Sequence, residues 1–83
     1  MKLVYFAWVR ERIGKPEEER ALPESVATIS DLIAWLKQQG EEYDYAFEKG
    51  HLIRVAIDKM HRKHDALIDG AREIAFFPPM TGG

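Results

Sequence analysis

An amphipathic helix between segments that favour strands constrains the fold of this chain more than any other feature. Apolar residues recur at helical spacing, at Ile29, Leu32, Ile33 and Leu36. This spacing makes one face of the helix apolar, so the helix should lie across a sheet. Thr28 stands at the N-cap, and Asp31 is placed to complete a capping box. The pattern predicts a helix over about 29–39, ended by Gly40 in the left-handed conformation.

Segments of β-branched and aromatic residues lie on both sides of this helix. The predicted strands cover residues 2–9, 17–22, 52–57, 60–63 and 72–77. The first and last are apolar on both alternating faces, which is typical of interior strands. Asp58-Lys59 and Asp69-Gly70 mark turns. Segment 41–50 is interpreted as a crossover with one irregular helical turn that adds Tyr45 and Phe47 to the edge of the core.

The predicted order is strand, strand, helix, strand, short strand, strand. It indicates an α+β fold that resembles the ubiquitin-like β-grasp, a mixed sheet of four to five strands with one main helix packed across it. The first and last strands are expected to pair in parallel at the centre. Residues 1–79 are expected to form this domain, and residues 80–83 a flexible tail.

Composition and charge exclude several classes of function. The 83 residues carry a net charge of −2 without a dense basic run, which argues against a nucleic-acid partner. No apolar run reaches the roughly 18 residues that span a bilayer, and no signal segment is evident. We therefore expect no membrane partner and a cytoplasmic location. The absence of cysteine removes thiolate chemistry, and His61 and His64 have no further ligands nearby, so no metal site is expected.

The C-terminal Gly82-Gly83 pair is the strongest functional signal. Glycine lacks a Cβ, so such a tail can enter a channel only as wide as a main chain and deliver its carboxylate to another protein. Pro78-Pro79 is a rigid spacer that holds the tail away from the domain. The alternative is an inert frayed end, since small residues concentrate at termini.

The last residues, 76–83 (FFPPMTGG), resemble the C-terminus of the small, sulfur-carrier subunit of molybdopterin synthase. The opening segment 3–7 with Arg10-Glu11, the Thr28-x-x-Asp31-Leu32 pattern and Asp69-Gly70 support the resemblance. Two turn residues depart from the family pattern. Asp58 stands where asparagine is common, and the turn after Gly70 is one residue longer and includes Arg72.

This resemblance implies a role for the terminal residue, Gly83, as a carried reactant. A ubiquitin-activating-type adenylyltransferase would use ATP to adenylate Gly83, and a sulfur donor protein would convert it to a thiocarboxylate. The large synthase subunit would then accept the tail residues Met80, Thr81 and Gly82, and sulfur would pass to cyclic pyranopterin monophosphate. The chain would bind no cofactor and would not be catalytic alone.

The resemblance also implies a partner interface at the root of the tail, formed by Phe6, Arg10, Met60, Phe77, Pro78 and Pro79. A carrier should expose apolar groups there, because at least two proteins must recognise it. The alternative is that Phe6 and Phe77 are core residues of alternating strands. His51, His61 and His64 are interpreted as solvated, Glu17–Arg20 as a solvated face, and Trp8 and Trp35 as packing residues.

Other functions share the same tail. The chain could carry sulfur for thiamine synthesis or tRNA thiolation, or it could be a protein modifier joined to lysines through Gly83. It could also be an interaction module whose tail is inert.

Overall fold

Five strands, three α-helices and one 3-10 turn lie within residues 1–79, the part of the chain that the computed structural model describes. In chain order they are β1 (Lys2–Tyr5), α1 (Ala7–Ile13), β2 (Glu17–Glu19), α2 (Ile29–Leu36), α3 (Glu41–Ala46), a 3-10 turn (Gly50–Leu52), β3 (Arg54–Ile57), β4 (Met60–Arg62) and β5 (Glu73–Phe77). Within this range no helix is long and apolar enough to cross a bilayer.

The strands form one five-stranded sheet in the order β2-β1-β5-β3-β4. β1 and β5 pair in parallel at the centre, and the other pairs are antiparallel. The predicted β-grasp fold and its central parallel pair are therefore confirmed. Leu3, Tyr5, Ile74 and Phe76 point from these strands into the core and are at most 1% exposed, which explains the apolar character of both segments.

Helix α2 packs the predicted apolar stripe into the core, because Ile29, Leu32, Ile33 and Leu36 are all buried. The capping box is present. The Asp31 amide donates to Thr28 Oγ1 (3.2 Å), and the Thr28 amide donates to Asp31 Oδ2 (3.1 Å). Amide donors from Ala27 and Thr28 lower the pKa of the Asp31 carboxyl.

The predicted end of this helix is wrong. Helix α2 stops at Leu36, and Gly40 has φ 164°, which is extended and not left-handed. Gly40 instead precedes helix α3, which begins at Glu41. The segment between the two helices is a turn that redirects the chain.

The predicted first strand, residues 2–9, is too long. β1 ends at Tyr5, and the chain turns at Ala7 (φ 52°) into helix α1. Val9 and Ile13 are four residues apart and face the core together, and a short apolar run fits a strand or a helix equally well. Gly14, in the left-handed conformation (φ 92°), ends the helix.

The crossover contains a true helix, α3, instead of one irregular turn. Its periodicity buries Tyr43, Ala46 and the following Phe47. The prediction for Phe47 is confirmed, whereas that for Tyr45 is wrong, because Tyr45 lies on the outer side and is 53% exposed. The Arg12 guanidinium lies 4.1 Å from the centroid of the Tyr45 ring.

Trp8 and Trp35 are half-buried and pack against the core, as expected. The Arg12 guanidinium also lies 4.4 Å from the centroid of the Trp8 ring. Arg12 thus joins α1 to α3.

The β3–β4 hairpin has the predicted Asp58-Lys59 turn, with φ of 49° and 72°. Both strands are shorter than predicted: β3 begins later because the 3-10 turn occupies the start of the expected strand, and β4 ends at Arg62 instead of residue 63. The Asp58 carboxylate accepts hydrogen bonds from the amides of Arg72 and Glu73, both at 2.9 Å. Asp58 therefore anchors the hairpin to the start of β5, which gives this departure from the family pattern a structural role.

β2 is also shorter than predicted, and its central residue is not solvated as expected. Glu17 and Glu19 are exposed, but Glu18 pairs with Leu3 and lies on the core side of the sheet. The predicted solvated face is thus wrong for Glu18.

Glu18 is the centre of a polar network. The hydroxyls of Tyr5 (2.7 Å) and Tyr43 (2.6 Å) donate to its Oε2, and Arg20 Nε donates to its Oε1 (3.1 Å). Burial raises the pKa of the Tyr5 hydroxyl, which therefore remains a donor. Burial also favours the neutral form of Glu18, but the two hydroxyl donors and the Arg20 charge hold the pKa of its carboxyl below the usual range.

Candidate partner-docking face and tail root

The sheet has a second face, opposite the core. Side chains alternate along each strand, so Ala75 and Phe77 point away from the face that carries Ile74 and Phe76. Ala75 pairs with Val4 on one side and with Ala56 on the other, and Ala56 pairs with His61. We call the surface formed by Val4, Ala56, His61, Ala75 and Phe77 the outer face.

An aromatic cluster lies at the end of the outer face where β5 ends. The rings of Phe6 and Phe77 are stacked with centroids 4.7 Å apart and planes within 3°. The His61 ring lies on the other side, 5.9 Å from the Phe77 centroid. Phe6 is 42% exposed and Phe77 is half-buried. Neither phenylalanine belongs to the hydrophobic core, so the cluster presents apolar surface to solvent.

The backbone fixes the position of Phe6. Its amide donates to the Phe76 carbonyl (3.1 Å), which extends the β1–β5 ladder by one residue. Its carbonyl accepts from the amides of Val9 (3.1 Å) and Arg10 (3.3 Å) in the first turn of α1. The left-handed Ala7 allows this change from strand to helix, so Phe6 is held at the surface by both neighbouring elements.

Pro78 and Pro79 form the root of the tail. Both are half-buried and directly follow β5. Proline has no amide donor, so the pair ends the ladder at Phe77, as expected. The predicted tail residues Met80, Thr81, Gly82 and Gly83 lie outside the described residues.

The structure brings together most of the predicted interface residues within 1–79. Phe6, Phe77 and Pro78 lie at one end of the sheet, and Arg10 is exposed one helical turn from Phe6. Met60 is 67% exposed but lies elsewhere. It pairs with Ile57, whose other partner is Ile74, so it lies on the core side at the opposite end of β5.

His61 was not predicted as part of this site. It is exposed on an edge strand, as expected, but its ring also contacts Phe77. A two-residue turn at Asp58-Lys59 fixes the pairing of His61 with Ala56. The turn and the alternation of side chains were therefore the signal that could have placed His61 on the outer face.

No group of three histidine, aspartate or glutamate side chains within residues 1–79 is arranged to hold a metal ion. His64 has a structural contact, since its Nε2 lies 2.6 Å from the Ile53 carbonyl oxygen. The site as described consists of the exposed aromatic cluster and, next to it, Pro78 and Pro79 after β5.

Comparison with known proteins shows similarity along the whole chain. The molybdopterin synthase sulfur carrier subunits of Haemophilus influenzae and Escherichia coli are 36% and 34% identical to it over 83 residues, which are 100% of this chain and 99% of each relative. The putative molybdopterin converting factor, subunit 1, of Pyrococcus furiosus has a TM-score of 0.72 at 27% identity, covering 95% of both chains.

SAMP1 of Haloferax volcanii has the same fold, with a TM-score of 0.72 at 23% identity over 100% of this chain and 98% of that chain. The model of the ThiS family matches residues 3–83. These matches confirm the resemblance found in the sequence, and the chain belongs to the ThiS family.

Proposed function

We propose that the chain is a sulfur carrier in molybdenum cofactor biosynthesis and acts as the small subunit of a molybdopterin synthase. The observation that carries the proposal is the full-length similarity to two sulfur carrier subunits of that enzyme. The Gly82-Gly83 terminus that follows Pro78-Pro79 supplies the reacting group that this role requires.

The Gly83 carboxylate has to be activated before it can carry sulfur, because a carboxylate is a poor electrophile. A carboxylate oxygen attacks the α-phosphorus of ATP on an adenylyltransferase of the ubiquitin-activating type, and pyrophosphate leaves. A sulfur nucleophile from a donor protein then attacks the acyl carbon, and AMP leaves. When the nucleophile is a persulfide of the donor protein, this attack gives an acyl disulfide. A thiol then attacks the donor's own sulfur, a new disulfide forms on the donor side, and the S–S bond breaks to release the thiocarboxylate, whose sulfur is the nucleophile for the next transfer.

In the second half of the cycle, the large subunit receives the tail, and sulfur passes to cyclic pyranopterin monophosphate. A dithiolene contains two sulfur atoms, so each product requires two loaded carriers. The domain's own contribution is recognition: the aromatic cluster of Phe6, His61 and Phe77, with Arg10 beside it, supplies an exposed surface next to the tail root. The acids and bases of the reaction belong to the partners.

Reconstitution tests this proposal. The thiocarboxylated chain is mixed with a large synthase subunit and cyclic pyranopterin monophosphate, and product is compared with that from a chain lacking Gly83. We expect product only from the intact chain, since the shortened tail has lost the residue that carries sulfur. Equal product from both chains would overturn the proposal.

Intact mass of the chain, measured after incubation with the activating partner and sulfur donor, distinguishes this function from conjugation. Thiolation raises the mass by the difference between one sulfur and one oxygen atom. Conjugation to lysines gives adducts larger by a whole protein. Circular dichroism of the chain lacking Gly83 checks that the domain is still folded.

A further inference from the structure

A basic groove runs along the β3–β4 edge of the sheet, beside the tail root. Its volume is about 560 Å³, and its lining includes Pro79. Among the described residues 1–79, its lining includes no acidic residue and six basic ones: His51, Arg54, His61, Arg62, Lys63 and His64. We infer that this basic groove docks an acidic segment of the protein that receives the tail; the inference rests on the proposed function.

The charge of the groove is local and contrasts with the rest of the chain. The whole chain carries a net charge of −2, and β2, at the other edge of the sheet, consists of three glutamates. Arg54, Arg62 and Lys63 take part in none of the ion pairs formed within residues 1–79. These cations therefore remain available to a partner's carboxylates.

The groove is continuous with the aromatic cluster. His61 lines the groove and also contacts the Phe77 ring. Arg54 pairs with Phe77 across the β3–β5 ladder. A protein that covers Phe6 and Phe77 and accepts the chain beyond Pro79 therefore reaches the basic groove without leaving the surface.

The arrangement of the cations favours a protein segment over a small phosphate ligand. Phosphate sites are commonly built from converging backbone amides in a glycine-rich loop or at a helix N-terminus. The part of the groove lining that lies within residues 1–79 contains neither. Its cations come from separate positions on β3, on β4 and after β4. Such a row matches carboxylates spread along an extended segment.

Nucleic acid fits the groove less well than an acidic protein segment. The groove has three permanently charged side chains, whereas nucleic-acid sites contact many phosphates. The described residues of its lining also include no aromatic ring apart from the histidines, and bases need rings on which to stack.

Charge complementarity of this kind mainly accelerates association and selects the partner. The test measures affinity of the full chain for the large synthase subunit and for the adenylating partner. It compares wild type with an Arg62→Glu, Lys63→Glu double variant at about 0.05 M and about 0.5 M salt. We expect affinity for at least one partner to fall about tenfold or more at low salt and the difference to shrink at high salt.

Arg72→Glu is the control, because Arg72 is exposed at the opposite end of β5, about 23 Å along the chain from Pro79. It reverses one positive charge where the double variant reverses two, and it should leave affinity unchanged. A thermal melt checks that each variant is folded. If the Arg62→Glu, Lys63→Glu variant does not fold, an Arg62→Gln, Lys63→Gln variant takes its place.

Several results would overturn the inference. The first is that wild type and the double variant bind both partners with equal affinity, and the second is that Arg72→Glu loses as much affinity as the double variant. The third is that inorganic phosphate or a short single-stranded RNA selectively competes with the partner for the groove. Sulfur transfer at saturating partner concentration is measured in the same preparations. If wild type transfers sulfur normally and the double variant keeps its affinity, the inference about the groove is wrong but the proposed function stands. If wild type transfers no sulfur, the proposed function itself is wrong.

Discussion

At the scale of single residues, Phe6 shows how a local backbone feature keeps an aromatic side chain at the surface. The ring is large and apolar, yet 42% of it is exposed, because the ladder hydrogen bond to Phe76 and the first turn of α1 hold the residue outside the core. Phe77 then stacks on it. Exposed aromatic residues of this kind supply much of the binding energy at protein interfaces.

The corresponding prediction concerns Phe6→Ala. We expect the affinity for the large subunit to fall about 30-fold, equivalent to about 2 kcal/mol. The free energy of unfolding should change by only about 1 kcal/mol, since the ring is half exposed and loses mainly its stacking on Phe77. Titration calorimetry and chemical unfolding measure the two quantities.

Leu67→Ala is the control for this prediction. Leu67 is 67% exposed and lies outside the outer face, so its removal should leave affinity unchanged. If Phe6→Ala binds as tightly as wild type, the aromatic cluster is not the docking surface.

At the scale of elements, the junction of β1 and α1 is the part of the fold for which the sequence pattern gives the wrong prediction. Trp8 and Val9 continue the apolar run of β1, so the strand pattern appeared to continue to Val9. The chain instead leaves the sheet at Ala7, which adopts φ 52°. A non-glycine residue in this region costs about 1 kcal/mol or more, and the hydrogen bonds around Phe6 hold it there.

This strain predicts opposite effects of one substitution at two sites. Ala7→Gly should raise the free energy of unfolding by about 0.5–1 kcal/mol, because glycine adopts positive φ without steric cost. Ala34→Gly, at an exposed position in α2, should lower it by about 1 kcal/mol. Ala7→Val should lower it as well, since a β-branched residue is an outlier at positive φ. Urea unfolding measures all three, and a loss of stability in Ala7→Gly would contradict the assignment of strain.

At the scale of the whole molecule, the architecture could be predicted from the sequence, but the residues at which strands and helices begin and end could not. Periodicity identified α2 and its capping box, and the apolar first and last strands indicated a central parallel pair. Helices α1 and α3 were missed or underestimated because each is short and its apolar spacing also fits other structures. Glu18 was interpreted as solvated because its pairing with Leu3 depends on a strand register that the local sequence does not define. His61 is exposed as expected, but its contact with Phe77 was missed although the Asp58-Lys59 turn defines its register.

The Glu18 network joins β1, β2 and α3 and makes global stability depend on pH. The pKa of the Glu18 carboxyl is lower in the folded state than its unfolded value of about 4.3. Its stabilisation is therefore complete above that pH and is lost as pH falls through the folded pKa. Glu18→Gln should cost about 1–3 kcal/mol at pH 7, and the difference from wild type should shrink below about pH 4.

Urea unfolding across this pH range checks the prediction. Glu19→Gln is the control, because Glu19 is the exposed neighbour and its ion pair within residues 1–79 is with the N-terminal amine at 3.3 Å. Its effect should stay within about 0.5 kcal/mol at every pH. A pH-independent difference between wild type and Glu18→Gln would show that the carboxylate is not the stabilising species.

The central β1–β5 pair has a consequence for the timing of folding. Lys2 pairs with Glu73 and Tyr5 with Phe76, so almost the whole chain lies between partners, and closing so long a loop makes folding slow. β5 lies between β1 and β3, so the β1–β2 and β3–β4 strand pairs belong to one sheet only through β5. The rings of Phe6 and Phe77 stack only when β5 is paired with β1. A partner that recognises the stacked pair therefore binds only a chain in which this central pairing is complete.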